Sequence, residues 1–351
     1  MKQIFKRFPF AWLVAFCLVS LMQTLAFSQS GRQTQPTKPT TQKPSAPPAQ
    51  TETRPRRVNS DEPAKDDDAP IKLSADLVTA ITSVTDNAGN QINDLTRQDF
   101  VVYEDNKPQD IEGVYREGQL PLRLVFLFDT STSIRSRFDF EQRAAAQFFR
   151  NVMRAGDTAA IISVSSDVRL ELALTGDLEQ LVHSLANLKP QGATALYNAL
   201  SEGAKYLRSV EGRRVMVVLS DGTDTASGIT LAQALKDVQM SDIVIYSVHS
   251  TGIAPSLNVQ DLGGEFVLKA MCEDTGGKAF FPPIYDDPKK EVRDLEEIYK
   301  RIAAEVRAQY VLTYYSKNDS RAKVFREIRV EVKRAGLQVR ARRGYYTSKE
   351  R

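Results

Sequence analysis

The chain has 351 residues, room for two domains of ordinary size, and carries 47 Lys and Arg against 44 Asp and Glu. Three of the basic residues, Lys2, Lys6 and Arg7, fall in the first 28 positions, so the remainder is balanced at 44 basic and 44 acidic. That balance gives no support for a nucleic-acid or acidic-membrane partner. With only Cys17 and Cys272 present, and Cys17 in the leading segment, the fold must rest on a packed core and not on disulfide staples.

The three leading charges precede an uncharged apolar run from Phe8 to Leu25, and Ala26-Phe27-Ser28 has the small-x-small form of a processing site. Residues 1–28 therefore read as a secretory signal peptide with Gln29 as the new amino terminus. The alternative is an uncleaved anchor, because a bilayer span needs about 20 apolar residues. Pro9, Gln23 and the processing site favour cleavage. Either way the folded part is expected outside the cytoplasm, in a periplasm, on a cell surface or secreted. Residues 29–70 are rich in Pro, Thr, Gln, Lys and Asp. Such a composition buries too little apolar surface to offset ordering entropy, so a disordered, extended tether is expected.

Residues 71–118 change to short β elements: Leu77 to Val84 as a strand, Asp86 to Asn90 as a turn, and Phe100 to Asn106 as a strand running into a turn. Residues 308–351 hold matching material, Ala308 to Ser316, Phe325 to Lys333 and Leu337 to Tyr346, each read as one strand. Flanks of about 45 residues are marginal as separate domains, so the two are expected to pack together as one β-sandwich.

Between the flanks, in residues 119–307, strands and helices alternate. Leu124-Val125-Phe126-Leu127-Phe128 is an apolar run of strand length, expected to be buried on both faces of a parallel sheet. After it come a helix around Phe140 to Val152, strands Thr158 to Ser165 and Val168 to Leu174, helices Leu178 to Leu188 and Ala195 to Leu207, and a buried strand Arg214 to Ser220. A helix Leu231 to Val238, a strand Ile243 to Val248, a helix Phe266 to Asp274, a short strand Ala279 to Phe281 and a helix Glu291 to Arg307 complete the series. Alternation of this kind predicts an α/β class, a doubly wound and mostly parallel sheet with helices on both faces.

In open α/β sheets, ligands bind beyond the carboxyl ends of the strands. There the Leu124–Phe128 run gives way to Asp129, Ser131 and Ser133, one carboxylate and two hydroxyls at alternate positions. Two more strand-end loops supply Thr194, in Gly192-Ala193-Thr194-Ala195-Leu196-Tyr197, and Asp221, in Ser220-Asp221-Gly222-Thr223-Asp224. Hard oxygen donors of this kind suit a small hard cation such as Mg²⁺. With these motifs in this order the chain resembles the von Willebrand factor type A domain, whose metal-ion-dependent adhesion site is Asp-x-Ser-x-Ser with a later Thr and Asp. The resemblance implies a Rossmann-like domain in which Asp129, Ser131, Ser133 and Thr194 hold Mg²⁺, or Mn²⁺ or Ca²⁺, directly or through water, and Asp221 receives hydrogen bonds from bound water. It further implies a protein partner that places an Asp or Glu on the cation. The export signal, Pro-rich segment, Leu95-Thr96-x-x-Asp99-Phe100, Glu104-Asp105 and terminal Arg342-Arg343-Gly344-Tyr345-Tyr346 together resemble the secreted bacterial branch of this family typical of acidobacteria.

The remaining chemistry-bearing residues read as structural. His183 and His249 are too few for a zinc site, and no phosphate-binding Gly-x-x-x-x-Gly-Lys-Ser/Thr occurs. Ser131 and Ser133 lack a neighbouring histidine base and a nucleophile-elbow pattern, which argues against an enzyme. A binding or adhesion module is expected ahead of an envelope scaffold with little metal dependence, and ahead of a metal-assisted hydrolase. Arg340, Arg342 and Arg343 read as a solvated sheet face, and Cys272 as an inert core thiol.

Overall fold

A computed structural model describes residues 77–116, 120–135, 137–250, 259–283, 288–318 and 324–347. The expected signal peptide and tether lie outside the described residues, all of which belong to one compact unit, Pro70–Arg351. In chain order the elements are β1 (Leu77–Asp86), β2 (Phe100–Glu104), β3 (Lys107–Gln109), β4 (Ile111–Tyr115), β5 (Leu122–Asp129), α1 (Phe138–Val152), β6 (Thr158–Val164), β7 (Val168–Thr175), α2 (Leu178–Asn187), α3 (Leu196–Arg208), β8 (Arg213–Ser220), α4 (Leu231–Met240), β9 (Val244–His249), α5 (Val259–Thr275), β10 (Lys278–Phe280), α6 (Pro288–Ala308), β11 (Tyr310–Tyr315), β12 (Phe325–Val332), β13 (Leu337–Ala341) and β14 (Gly344–Tyr346). Among the described residues no helix is long and apolar enough to cross a membrane.

The central layer is a six-stranded sheet in the order β10-β9-β8-β5-β6-β7. All its pairings are parallel except β6 with β7, which form an antiparallel hairpin at the edge. The residues of β5 explain why this strand lies in the middle. Leu124, Phe126 and Phe128 enter a core shared with α1, α2 and α6, while Val125 and Leu127 enter a second core with α3, α4 and α5. A strand apolar on both faces can be satisfied only between two helical layers. Phe126 is packed among Phe148, Phe149 and Tyr299, with ring centroids 5.8, 5.4 and 6.4 Å away. Because β6 lies on one side of β5 and β8 on the other, the order of the chain reverses at β5. That switch point opens a crevice at the carboxyl ends of β5 and β8.

The flanking segments form two four-stranded sheets, β13-β1-β11-β4 and β14-β12-β2-β3. Each sheet draws strands from both ends of the chain. Their inner faces meet in one core containing Val78, Ala80, Val84, Phe100, Val102, Tyr310, Leu312, Tyr314, Ile328 and Val330, which is the expected sandwich. Three local readings are corrected. The chain from Leu337 to Tyr346 is not one strand: it breaks at Arg342 and Arg343, where the Arg343 amide turns to the Asp274 carbonyl at 3.1 Å and its carbonyl accepts from Ile328 N at 2.8 Å, so β13 and β14 lie in different sheets. Helix α5 begins at Val259, one turn and more before the expected Phe266; Gly263 and Gly264 weaken the helical signal there. Of the arginines of the last strands, Arg340 and Arg342 do not form a solvated face, whereas Arg343 is exposed as expected. Arg340 donates to the Gly277 carbonyl at 2.8 Å and pairs with Glu305, Arg342 pairs with Asp242, and Arg343 pairs with Asp274 at 2.9 Å.

These contacts fasten the sandwich to the α/β layer. Only Gln309 separates α6 from β11. The Glu305 carboxylate, 4% exposed, accepts from Ser83 Oγ of β1 at 3.3 Å, from Tyr246 Oη of β9 at 2.8 Å and from Arg340 of β13. Removing a buried acceptor with several donors leaves those donors unsatisfied. Glu305→Ala is therefore expected to lower unfolding free energy by about 2–4 kcal/mol, measured by chemical denaturation, with Glu305→Gln losing less because it keeps an acceptor oxygen.

Candidate metal centre

Three loops meet at the crevice. The first follows β5. Asp129, the last residue of that strand, is 0% exposed. Its Oδ1 accepts from Ser131 N at 2.8 Å and its Oδ2 from Ser220 Oγ at 2.7 Å. Ser131, also buried, stands at the N-cap position of a single 3-10 turn, Thr132–Ile134, without a side-chain capping bond. Ser133 lies within that turn, and its side chain is outside the described residues.

The second loop precedes α3 and carries Thr194, 5% exposed. It is tied to the first loop by Thr132 N donating to the Gly192 carbonyl at 3.2 Å and Gln191 N donating to the Thr130 carbonyl. Gly192 has φ +73°, and a Cβ there would fall 2.7 Å from Ser166 Oγ, so the loop needs glycine both for its backbone and for its space.

The third loop follows β8 and carries Asp221, half-buried, whose Oδ1 accepts from Thr223 N at 2.9 Å. It is bound to the second loop in both directions. Thr194 N donates to Thr225 Oγ1 at 3.0 Å, and the Thr194 carbonyl accepts from Thr225 N at 2.8 Å and Ala226 N at 3.0 Å. Asp224 Oδ1 accepts from Tyr197 N in the first turn of α3 at 3.2 Å, a favourable place for a carboxylate. Gly222, at φ +80°, and Gly264 of α5 lie back to back: a Cβ on Gly222 would be 2.3 Å from the Gly264 carbonyl oxygen, and one on Gly264 2.2 Å from the Asp221 carbonyl oxygen.

Asp129, Ser131, Thr194 and Asp221 thus come to one rim. Three residues that hold them there had no role in the sequence reading: Ser220 and Asp224, which entered it only as parts of the third motif, and Thr225, which did not enter it. The one available signal was that Ser220 ends the buried run beside Asp221. His249, read from the sequence as structural, is a strand residue: it ends β9 with its Cα in register with Ser220, is buried and packs on Phe281 with ring centroids 5.9 Å apart. Cys272 meets its expectation. It donates to Ser247 Oγ at 3.3 Å, and burial pushes its thiol up to about 12.

The electrostatics fit a cation. Burial pushes the Asp129 carboxyl up to about 6, against the hydrogen bonds from Ser220 and Ser131 that lower it, and the nearby Asp221 charge raises it further. The groups that set this value are hydroxyls, an amide and a second carboxylate, so a dehydrated negative centre is left for a small cation to compensate. Among the described residues no group of three or more His, Cys, Asp or Glu gathers at one point. A site with two carboxylates and three hydroxyls would not form such a group.

Carboxylates and hydroxyls on three laced loops thus meet at the topological switch point of a doubly wound α/β domain. Residues 124–237, which contain all five expected site residues, match the family model of the von Willebrand factor type A domain. No curated protein matches the chain. Solved structures similar to it include an aerotolerance-related membrane protein from Bacteroides fragilis (17% identity, 53% of this chain and 98% of that one, TM-score 0.42). They also include a von Willebrand factor type A protein from Catenulispora acidiphila (12% identity, 78% and 74%, TM-score 0.41). A third is proximal thread matrix protein 1 from the mussel byssus, with a zinc-occupied adhesion-site motif (15% identity, 59% and 50%, TM-score 0.43), of which this chain spans half the length.

The raised Asp129 carboxyl has a signed consequence. Its folded value, about 6, exceeds the ordinary 3.8, so without metal the folded state holds this proton more tightly than the unfolded chain. The contribution is fully present below 3.8 and is lost as pH rises through about 6, on the order of 3 kcal/mol across the interval. In chelator, the wild type should gain stability relative to Asp129→Asn between pH 7 and pH 5, read from paired denaturation curves. The stabilisation conferred by Mg²⁺ should shrink over the same interval.

Proposed function

We propose that the chain is an exported, metal-dependent protein-binding module, an adhesion or assembly component that captures an acidic side chain of its partner. The observation that carries this reading is the dehydrated Asp129 carboxylate, held between loops that present Ser131, Thr194 and Asp221 on the same rim. Asp129, Ser131, Ser133 and Thr194 would hold Mg²⁺, Mn²⁺ or Ca²⁺, with Asp221 receiving hydrogen bonds from its water. A bound cation would supply a centre of residual positive charge with a position for an exogenous carboxylate.

The chain's own contribution is positional. The laced loops keep the donors in place, and the buried crevice strengthens a charge-assisted contact relative to open surface. A binding role is favoured over hydrolysis because the rim offers carboxylates and hydroxyls for a cation, whereas Ser131 and Ser133 have no neighbouring histidine base in the sequence. The leading apolar segment and its small-x-small pattern support an extracytoplasmic setting, and the sequence arrangement resembles that of the secreted bacterial branch of the type A family.

Titration with Mn²⁺ or Mg²⁺ should reveal one site that Asp129→Ala removes; equal binding by that variant would refute the assignment of the first loop. Envelope proteins retained on the immobilised chain in Mg²⁺ should be released by chelator and recaptured when Mg²⁺ returns. Thr194→Ala should weaken that retention by about tenfold or more, equivalent to ~1.4 kcal/mol, while shifting the unfolding midpoint little. Retention indifferent to chelator and to Thr194→Ala would move recognition to another face of the chain.

A further inference from the structure

We infer that Ser220, which is outside the expected ligand set, is a positioning residue for the cation: its hydroxyl fixes the orientation of the Asp129 carboxylate. This inference rests on the cation-binding reading above and assigns a role that neither the motif nor the family match contains. Ser220 is the last residue of β8 and is 0% exposed. Its Oγ accepts from Gly222 N at 3.2 Å and donates to Asp129 Oδ2 at 2.7 Å, and its carbonyl accepts from Ser250 N at 3.1 Å.

The direction of this chain of hydrogen bonds is set by its first member. The Gly222 amide can only donate, so it occupies a lone pair of the Ser220 oxygen and leaves the hydroxyl proton for Asp129. Amide, hydroxyl and carboxylate then polarise one another in a site closed to water. Ser131 N holds the other carboxylate oxygen at 2.8 Å. With a donor on each oxygen, rotation of the carboxylate about its broad terminal torsion is blocked, and the remaining lone pairs keep one direction. Gly222 is available to start the chain because its φ of +80° turns the backbone at the point where α5 approaches.

The second shell of a metal site orients its ligands in this manner, and losing one such partner typically costs 10–100-fold in metal affinity. Ser220 also accounts for the distribution of labour among the loops. The third loop contributes Asp221 to the rim, and through Ser220 and Thr225 it also steadies ligands that belong to the other two loops.

The test compares wild type, Ser220→Ala and Ser220→Thr in the processed chain, with Mn²⁺ as the probe. Affinity is read from the electron paramagnetic resonance of free Mn²⁺, ligand geometry from the spectrum of bound Mn²⁺, and folding from denaturation in chelator. Ser220→Ala is expected to bind Mn²⁺ 10–100-fold more weakly, with an altered bound-ion spectrum and a cooperative unfolding transition in chelator. Ser220→Thr, which restores the hydroxyl, should recover most of the affinity and the wild-type spectrum. If Ser220→Ala does not fold, Ser220→Cys takes its place, since it keeps the volume and weakens the donor, and the same loss is expected. Wild-type affinity and spectrum in the variant lacking the hydroxyl would overturn the inference while leaving the cation site standing, and so would a folded Ser220→Thr that recovers nothing. Failure of the wild type itself to bind Mn²⁺ would remove the cation reading, and this inference with it.

Discussion

A carboxylate at the end of a strand buried on both faces is costly to keep, and much of the arrangement around β5 can be understood as meeting that cost. Asp129 has no exposed surface, so water cannot solvate its charge. The hydrogen bonds that replace water come from its own loop, through Ser131, and from the end of the neighbouring strand, through Ser220. Ser220 can reach it only because β5 and β8 are adjacent and parallel, with Leu122 opposite Arg213 and Phe128 opposite Leu219. One step of slip in that register would take the Ser220 hydroxyl from the carboxylate and turn the apolar side chains of β5 to the wrong faces.

The same site shows how short polar loops become rigid. None of the three has an apolar core of its own, yet each is bonded to another: Thr132 to Gly192, Thr194 to Thr225, Asp129 to Ser220. The glycines are placed where backbone meets backbone or side chain at short range. Gly222 against Gly264 admits α5 to the third loop, and Gly192 admits the second loop to Ser166. Conformational entropy lost by these loops on folding is thereby spent before any ligand arrives, which is the general advantage of a preformed site.

Away from the crevice, the sandwich and the α/β layer are joined by buried polar contacts as well as apolar ones. Glu305 collects Ser83 and Arg340 of the sandwich with Tyr246 of the α/β layer, and inside that layer Asp157 accepts from Leu122 N and Arg154 N while pairing with Arg307. Partners from three or four elements converge on each carboxylate, so neither can be satisfied by a fragment of the fold. Ile81 of β1 adds an apolar contact by packing into the α1 and α6 core. A short connection through Gln309, itself buried, makes the end of α6 and the start of β11 mechanically continuous.

Local pattern in the sequence carried a good deal of this protein. Five apolar residues from Leu124 to Phe128 determine a strand buried on both faces, because no other short element accommodates them, and the alternation that follows determines a doubly wound class. The candidate residues Asp129, Ser131, Thr194 and Asp221 were legible because each follows a recognisable strand or precedes a helix. Only tertiary structure decided that β7 pairs antiparallel, that Leu337 to Tyr346 divides between two sheets, and that Arg340, Arg342 and Arg343 reach carboxylates of the α/β layer. It alone decided that Ser220 and Thr225 hydrogen-bond to Asp129 and Thr194, which are borne on other loops. The physical reason is common to all of these: strand pairing, ion pairs and hydrogen bonds between residues tens to hundreds of positions apart depend on where the chain returns in space, and side-chain periodicity reports only which face of an element is dry.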